Sequence, residues 1–217
     1  MGTGQGRLGS FVALGDSFTE GLNDARPDGS YRGWADRVAE ALAAETAGFR
    51  YANLAVRGRR LDRIAGEQVD AAVAMAPALV SLCGGGNDIL SPRCDPHALG
   101  RRLHAALQRL TATGATVVVF TGFDTAGRLP LGARLALRTA TYNELIRRAV
   151  AELDAVLIDL WDMAVLRDDR MWSEDRLHLS GEGHLRVAAA VLEALGRDPG
   201  VDWRAPLAPA LPRAWVS

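Results

Sequence analysis

Five short, mostly apolar runs recur along the chain, and each is followed by glycine or by polar residues. The first run, Phe-Val-Ala-Leu at residues 11–14, leads directly into Gly-Asp-Ser. Apolar runs of about four to eight residues that are bounded by turn residues are typical of buried strands. The pattern therefore predicts five strands, at residues 11–14, 49–55, 78–83, 115–120 and 155–159.

Between these runs the apolar residues change to helical spacing, three or four positions apart. Asp95 and Ser180 stand at N-cap positions, while Gly114 and Gly196 follow the last helical residues, as is typical of helix ends. Segments at 19–30 and 160–178 lack a clear period and predict loops, the second with one helical turn. The periodic segments predict helices at 31–47, 61–76, 95–113, 131–153 and 180–195.

The alternation of strands and helices sets the expected fold class. Apolar strands that alternate with helices of roughly 12–20 residues predict an α/β fold whose parallel sheet is covered on both faces. The length of 217 residues suits one domain, which we place at residues 8–197. Prolines in the remaining residues, 198–217, predict an extended C-terminal tail on the surface of that domain.

Composition and charge narrow the range of partners. The net charge is −1, so charge gives no reason to expect binding to nucleic acid or to an anionic membrane. No stretch approaches about 18 uninterrupted apolar residues, and the first ten residues lack the apolar core of a signal peptide. We therefore expect a cytoplasmic protein that does not insert into membranes. Cys83 and Cys94 fit no zinc-binding spacing, so we expect neither a metal site nor a cofactor.

Residues that can carry chemistry follow four of the five predicted strands. Ser17 comes after the first strand, Gly58 after the second and Asn87 after the third, while Asp175 and His178 lie in the loop after the fifth. The carboxyl ends of parallel strands lie at one edge of the sheet, where open α/β folds bind their ligands. We therefore expect these five residues to meet there.

These residue types suit nucleophilic catalysis. A serine hydroxyl attacks only when a base takes its proton, and histidine has the proton affinity for that task near neutral pH. Asp175 lies three residues before His178, a spacing at which a turn can place the carboxylate against the imidazole. The backbone N–H groups of Ser17 and Gly58 and the side-chain amide of Asn87 are available to stabilise an oxyanion.

Four sequence blocks resemble, in order, those of the SGNH (GDSL-type) hydrolase family: Gly15-Asp16-Ser17, Gly58, Gly86-Asn87-Asp88 and Asp175-Arg176-Leu177-His178. The resemblance covers roughly residues 10–195. It implies a flavodoxin-like, three-layer α/β/α fold with a five-stranded parallel sheet. It also implies that Ser17 is the nucleophile, His178 the base and Asp175 the residue that orients the base. Oxyanion donors would then be Ser17, Gly58 and Asn87.

Together these observations predict a serine esterase that hydrolyses small-molecule carboxylic esters through an acyl-enzyme on Ser17. No long lid insertion separates the strands, which favours a shallow, open site and short or flexible acyl chains. An acyltransferase with the same triad is one alternative, which product analysis with added alcohols would distinguish. A non-catalytic, flavodoxin-like nucleotide-binding module is another, since the same sheet edge can hold phosphate at helix N-termini.

Overall fold

The structure, a computed structural model, describes residues 8–125 and 132–208. Within these residues a five-stranded sheet forms the centre of the fold, with every strand parallel to its neighbours. The strand order is β2-β1-β3-β4-β5, which confirms the predicted α/β fold with a five-stranded parallel sheet. The strands are β1 (Ser10–Leu14), β2 (Arg50–Asn53), β3 (Leu79–Leu82), β4 (Thr116–Phe120) and β5 (Val156–Ile158).

Helices follow each of the five strands. Each of the longer helices agrees with a predicted one, with ends that differ by a few residues. The helices are α1 (Ser17–Glu20), α2 (Trp34–Glu45), α3 (Leu61–Arg63), α4 (Val69–Met75), α5 (Gly86–Ile89), α6 (Pro96–Thr111), α7 (Gly132–Leu153) and α8 (Gly181–Ala194).

Two apolar cores lie on the two faces of the sheet and make the fold three-layered. Side chains alternate between the faces along a strand, so Phe11 and Ala13 of β1 join one core while Val12 and Leu14 join the other. Helices α2 and α8 cover the first core, and α4, α6 and α7 cover the second. Because β1 is buried on both faces, it appears in the sequence as a continuous apolar run.

Several predicted boundaries were wrong for local reasons. The helix predicted at 31–47 begins only at Trp34, because Tyr31 pairs with Ala25 in an antiparallel bridge. The helix predicted at 61–76 is divided by a π-helical segment, Ile64–Gln68, between α3 and α4. The two short helices α1 and α5 were not predicted. The loop at 160–178 contains two 3₁₀ turns, Ala164–Arg167 and Asp169–Met171.

The C-terminal segment 198–208 lies against α8. Arg204 pairs with Glu193 of that helix, with 2.7 Å between Nη2 and Oε1, and Arg186 donates to the carbonyl of Asp202. The predicted tail residues 209–217 and the predicted helix start at residue 131 lie outside the described residues. In the described part of the chain, no helix has both the length and the apolar content needed to cross a membrane.

Candidate active site

Strand β1 delivers Ser17 to the edge of the sheet through a tightly packed turn. A Cβ at Gly15 would lie 2.8 Å from the carbonyl oxygen of Cys83, so only glycine fits between the ends of β1 and β3. The buried side chain of Gln68 donates to the Gly15 carbonyl over 2.9 Å and accepts from the Gly15 N–H over 2.8 Å. Asp16 then caps α1 by accepting from Phe18 N, which makes Ser17 the first residue of that helix.

His178 lies directly against Ser17. Its Nε2 is 3.0 Å from Ser17 Oγ, and its Nδ1 is 2.7 Å from Asp175 Oδ2. The structure thus brings together three predicted site residues from opposite ends of the chain, in the order hydroxyl, imidazole, carboxylate. This arrangement lets the imidazole accept the serine proton while the carboxylate holds the ring and stabilises its charged form.

The Asp175 carboxylate is held by four donors. Oδ1 accepts from the backbone N–H groups of Leu177 and His178, over 2.9 and 3.0 Å. Oδ2 accepts from the Asn23 side-chain amide over 2.9 Å in addition to the His178 ring. Burial opposes ionisation of Asp175, but its hydrogen bonds with His178 and Leu177 outweigh that effect and lower its pKa to about 2. The carboxyl group is therefore ionised at neutral pH.

Asn87 connects the turn that holds Ser17 to the loop that contains Gly58. Asn87, the second residue of α5, donates from Nδ2 to Asp16 Oδ2 and to the Arg59 carbonyl, each over 3.0 Å. Gly58 precedes Arg59 and has a φ of +75°, a conformation that favours glycine. Both amide hydrogens of Asn87 are therefore engaged, one with the turn that holds Ser17 and one with the Gly58 loop.

Glu20 ties the Gly58 loop to α1. Its carboxylate accepts from the Arg57 backbone N–H over 2.9 Å and forms an ion pair with the Arg57 guanidinium, with 2.7 Å between Nη2 and Oε1. The same guanidinium lies over the Tyr31 ring, 5.1 Å from its centroid. These contacts fix Arg57, the residue before Gly58, against α1, which also carries Ser17.

Asp16 is a buried carboxyl group at the centre of this arrangement. Burial raises its pKa to about 6, although the Phe18 N–H and the nearby His178 favour the ionised form. Asp88, one residue after Asn87, accepts from the Leu61 N–H over 2.9 Å and fixes α5 against α3. Asp16 and Asp88 thus each accept a backbone hydrogen bond that fixes a short helix beside Ser17.

A cavity of about 150 Å³ opens beside Ser17 and is lined mostly by apolar side chains. Its polar lining groups include Tyr142, whose hydroxyl donates to the Gly84 carbonyl, and Thr139, whose hydroxyl donates to the Leu135 carbonyl. These two hydroxyls therefore offer no free donor to a ligand. Apolar lining residues include Ile89, Leu90, Phe120, Phe123, Leu135 and Leu160.

Three residues of the site region were not identified from the sequence: Asn23, Glu20 and Gln68. Asn23 and Glu20 carry no local signal, because their partners are 152 and 37 residues away in the chain. Gln68 does carry one, since it is a polar residue among the apolar positions of a predicted helix. It could have been recognised as a buried side chain that must find hydrogen-bond partners.

His184 is buried and lines the cavity. Its Nδ1 accepts from Trp34 N over 3.2 Å, and burial lowers its pKa to about 4, so the ring is neutral. Within residues 8–125 and 132–208, no three His, Cys, Asp or Glu side chains are grouped so that they could hold a metal ion.

The sequence profile of the GDSL-like lipase/acylhydrolase family matches residues 13–186, a range that includes the five residues predicted for the site. No curated protein sequence matches this chain significantly.

Solved structures share the fold at low sequence identity. Axe2, an acetylxylan esterase from Geobacillus stearothermophilus, was solved as a catalytic mutant that aligns with a TM-score of 0.74 at 19% identity, covering 92% of this chain and 97% of that one. LAE5, an α/β hydrolase enzyme from a Lake Arreo metagenome, aligns with a TM-score of 0.72 at 20% identity. This alignment covers 87% of this chain and 95% of LAE5. EstA, a psychrotrophic esterase from Pseudoalteromonas sp. whose structure was solved inhibited by monoethylphosphonate, aligns with a TM-score of 0.68 at 14% identity. This alignment covers 87% of this chain and 97% of EstA.

Proposed function

The chain belongs to the GDSL-like lipase/acylhydrolase family and is a carboxylic ester hydrolase, and we propose that it acts through an acyl-enzyme on Ser17. The observation that carries this proposal is the Ser17–His178–Asp175 relay, with distances of 3.0 Å and 2.7 Å. A serine, an imidazole and a carboxylate in this order form the arrangement by which serine hydrolases activate a hydroxyl.

In the first half-reaction, Ser17 Oγ attacks the ester carbonyl carbon while His178 Nε2 takes the hydroxyl proton. The carbonyl oxygen becomes an oxyanion, which the backbone N–H groups of Ser17 and Gly58 and the amide of Asn87 stabilise. Cleavage of the carbon–oxygen ester bond then releases the alcohol, which receives the proton from His178. Asp175 stays ionised throughout and stabilises the imidazolium.

In the second half-reaction, water attacks the acyl-enzyme carbonyl and gives its proton to His178. The tetrahedral intermediate collapses, Ser17 regains a proton from His178, and the carboxylic acid leaves. Both amide hydrogens of Asn87 are engaged in the resting site, so each oxyanion must share or replace one of these bonds. We expect the oxyanion to share the hydrogen that Asn87 directs at Asp16, because Asp16 adjoins the nucleophile.

The cavity supports a short hydrocarbon acyl chain. An apolar cavity of about 150 Å³ can hold a molecule the size of benzene, which has six carbon atoms. We therefore propose that acyl groups of roughly four to eight carbons fit best. The same apolar lining argues against the nucleotide-binding alternative, since a nucleotide phosphate requires cationic or backbone donors that these side chains lack.

Reaction with an organophosphonate tests the nucleophile, and turnover of p-nitrophenyl esters tests the reaction. We expect one phosphonyl adduct, located on Ser17 by peptide mass analysis, and loss of at least about 10³-fold in kcat for Ser17→Ala and for His178→Ala. Ser30→Ala, a change in an exposed turn, should retain full activity. An adduct on another residue, or turnover that survives Ser17→Ala, would overturn the proposal. Product analysis with added alcohols then separates hydrolysis from acyl transfer.

A further inference from the structure

We infer that Asn23 is a positioning residue for the base, because it fixes the Asp175 carboxylate that orients His178. This inference rests on the proposed role of the triad. Asn23 Nδ2 donates to Asp175 Oδ2 over 2.9 Å, and Oδ2 is the oxygen that His178 Nδ1 contacts. The contact joins the segment that carries the nucleophile to the loop that carries the base, across 152 positions of sequence.

The backbone around Asn23 is held in place from both sides. On one side, Leu22 N donates to the Ser17 carbonyl over 3.1 Å, and Gly21 packs so closely on Gly33 that a Cβ at Gly21 would lie 2.4 Å from Gly33 N. On the other side, Asp24 forms an ion pair with Arg37 of α2, with 2.7 Å between Oδ2 and Nη2. The backbone of Asn23 is thus held in a fixed position relative to Ser17.

Asn23 itself has a φ of +73°, in the left-handed region. Asparagine tolerates this conformation better than most residues with a side chain, and glycine adopts it freely. A role in the turn alone would therefore be met by glycine as well as by asparagine. Only the hydrogen bond to Asp175 requires the side-chain amide, and this difference separates the two roles by experiment.

The carboxylate needs such a partner because its side chain is 42% exposed. Its Oδ1 is fixed by two backbone N–H groups of its own loop, whereas among the described residues Oδ2 has only His178 and Asn23 as partners. Without Asn23, water would bond to Oδ2 and the carboxylate could rotate away from the imidazole. Proton transfer from Ser17 would slow, while the acyl cavity, which Asn23 does not line, would bind substrate as before.

The test compares Asn23→Gly, Asn23→Ala and Asn23→Asp with the wild type. For Asn23→Gly we expect kcat on a p-nitrophenyl ester and the rate of phosphonylation of Ser17 to fall about tenfold, with KM within about twofold of the wild type. Asn23→Ala should show the same loss together with a lower melting temperature, because alanine keeps the strain at positive φ. Wild-type activity in Asn23→Gly would overturn the inference in favour of a turn role.

Asn23→Asp provides an independent readout. It replaces the donor with a second carboxylate beside Asp175, and added negative charge near His178 should move the acidic limb of the kcat/KM–pH profile to higher pH. Asp16 at α1 and His184 on α8 also interact electrostatically with His178, and neither is altered in this variant. An unmoved acidic limb would count against the contact. Failure of the proposed function is distinct, because the wild type would then not be phosphonylated at Ser17.

Discussion

The side-chain amide of Asn87 donates to the buried carboxylate of Asp16, with 3.0 Å between Nδ2 and Oδ2. The same Asp16 caps α1 by accepting from Phe18 N through its other oxygen. One carboxylate therefore sets both the start of the helix that presents Ser17 and the direction of the proposed oxyanion amide. This link gives Asp16 a supporting role that its place in the Gly-Asp-Ser block alone does not specify.

The first prediction concerns Asp16→Asn. Phe18 N and the Asn87 amide contact different oxygens of the Asp16 carboxylate, and asparagine replaces one of these oxygens with an NH2 group, which cannot accept a hydrogen bond. We expect kcat to fall about tenfold or more, since a misdirected oxyanion donor costs transition-state stabilisation, while KM changes little. Steady-state kinetics on a short-chain p-nitrophenyl ester measures this effect.

Asp95→Asn is the matched control for this change. Asp95 caps α6 by accepting from His97 N over 2.9 Å and does not line the cavity. Asparagine caps a helix about as well as aspartate, so Asp95→Asn should keep kcat and stability close to the wild type, and only Asp16→Asn should lower kcat. Equal kcat values for the two variants would show that Asp16 does not direct the Asn87 amide.

The second prediction is a pH dependence of stability. The folded-state pKa of Asp16 is about 6, against an ordinary value of 3.8, so between about pH 4 and 6 the folded protein binds more protons at this group than the unfolded chain does. The contribution of Asp16 to the free energy of unfolding therefore falls as pH rises through this window, by at most about 3 kcal/mol. Burial of the ionised carboxyl is the cause.

Urea unfolding at pH 4 and pH 7 checks this sign. Asp16→Asn removes the titration, so its free energy of unfolding relative to the wild type should rise between these two values. Asp175 acts in the opposite direction only at lower pH, because its pKa of about 2 means that its stabilisation is lost below about pH 4. If the free energies of unfolding of the variant and the wild type differ by the same amount at both pH values, the pKa of Asp16 is not raised in the folded protein.

A third prediction uses two glycines of the same conformation. Gly58 and Gly114 have φ values of +75° and +79°, and a Cβ at either would meet no atom within 4 Å. Alanine at either position should thus cost a similar amount of stability, about 1 kcal/mol, from backbone strain alone. Only Gly58→Ala should lower kcat, because it moves the N–H that we assign to the oxyanion. Unchanged kcat in Gly58→Ala would remove Gly58 from the site.

The sequence allowed the fold to be predicted because strand burial leaves a simple pattern. Continuous apolar runs such as residues 11–14 arise where both faces of a strand are covered, and their alternation with helices implies parallel pairing. The short helices α1 and α5 could not be foreseen, since four residues are too few to show a helical period. The family blocks placed Ser17 and Asn87 correctly after β1 and β3.

The contacts that hold the site could not be predicted from the sequence, for a different reason. Asn23 and Glu20 act on partners in other segments of the chain, and a polar residue in a predicted loop has no local feature that identifies such a partner. The sequence also gave no indication that Asp16 would accept from Asn87, because the distance between them follows from the pairing of β1 with β3. Such contacts depend on the three-dimensional arrangement of the strand ends.

The last prediction concerns the acyl chain and uses two leucines of α7. Leu135 lines the cavity beside Ser17, whereas Leu145 packs on Gly100 of α6 and does not line it. Both are partly buried, so Leu→Ala at either position should destabilise the protein to a similar extent, by about 2 kcal/mol. Only Leu135→Ala enlarges the cavity, and the preferred p-nitrophenyl ester should then lengthen by roughly two carbons, because the lost side chain leaves room for the end of a longer chain. A series of esters from acetate to dodecanoate, with kcat/KM measured for both variants and the wild type, checks this shift. If Leu135→Ala and Leu145→Ala share the wild-type optimum, the acyl chain does not occupy this cavity, and the proposed size of the acyl group loses its support even though the triad stands.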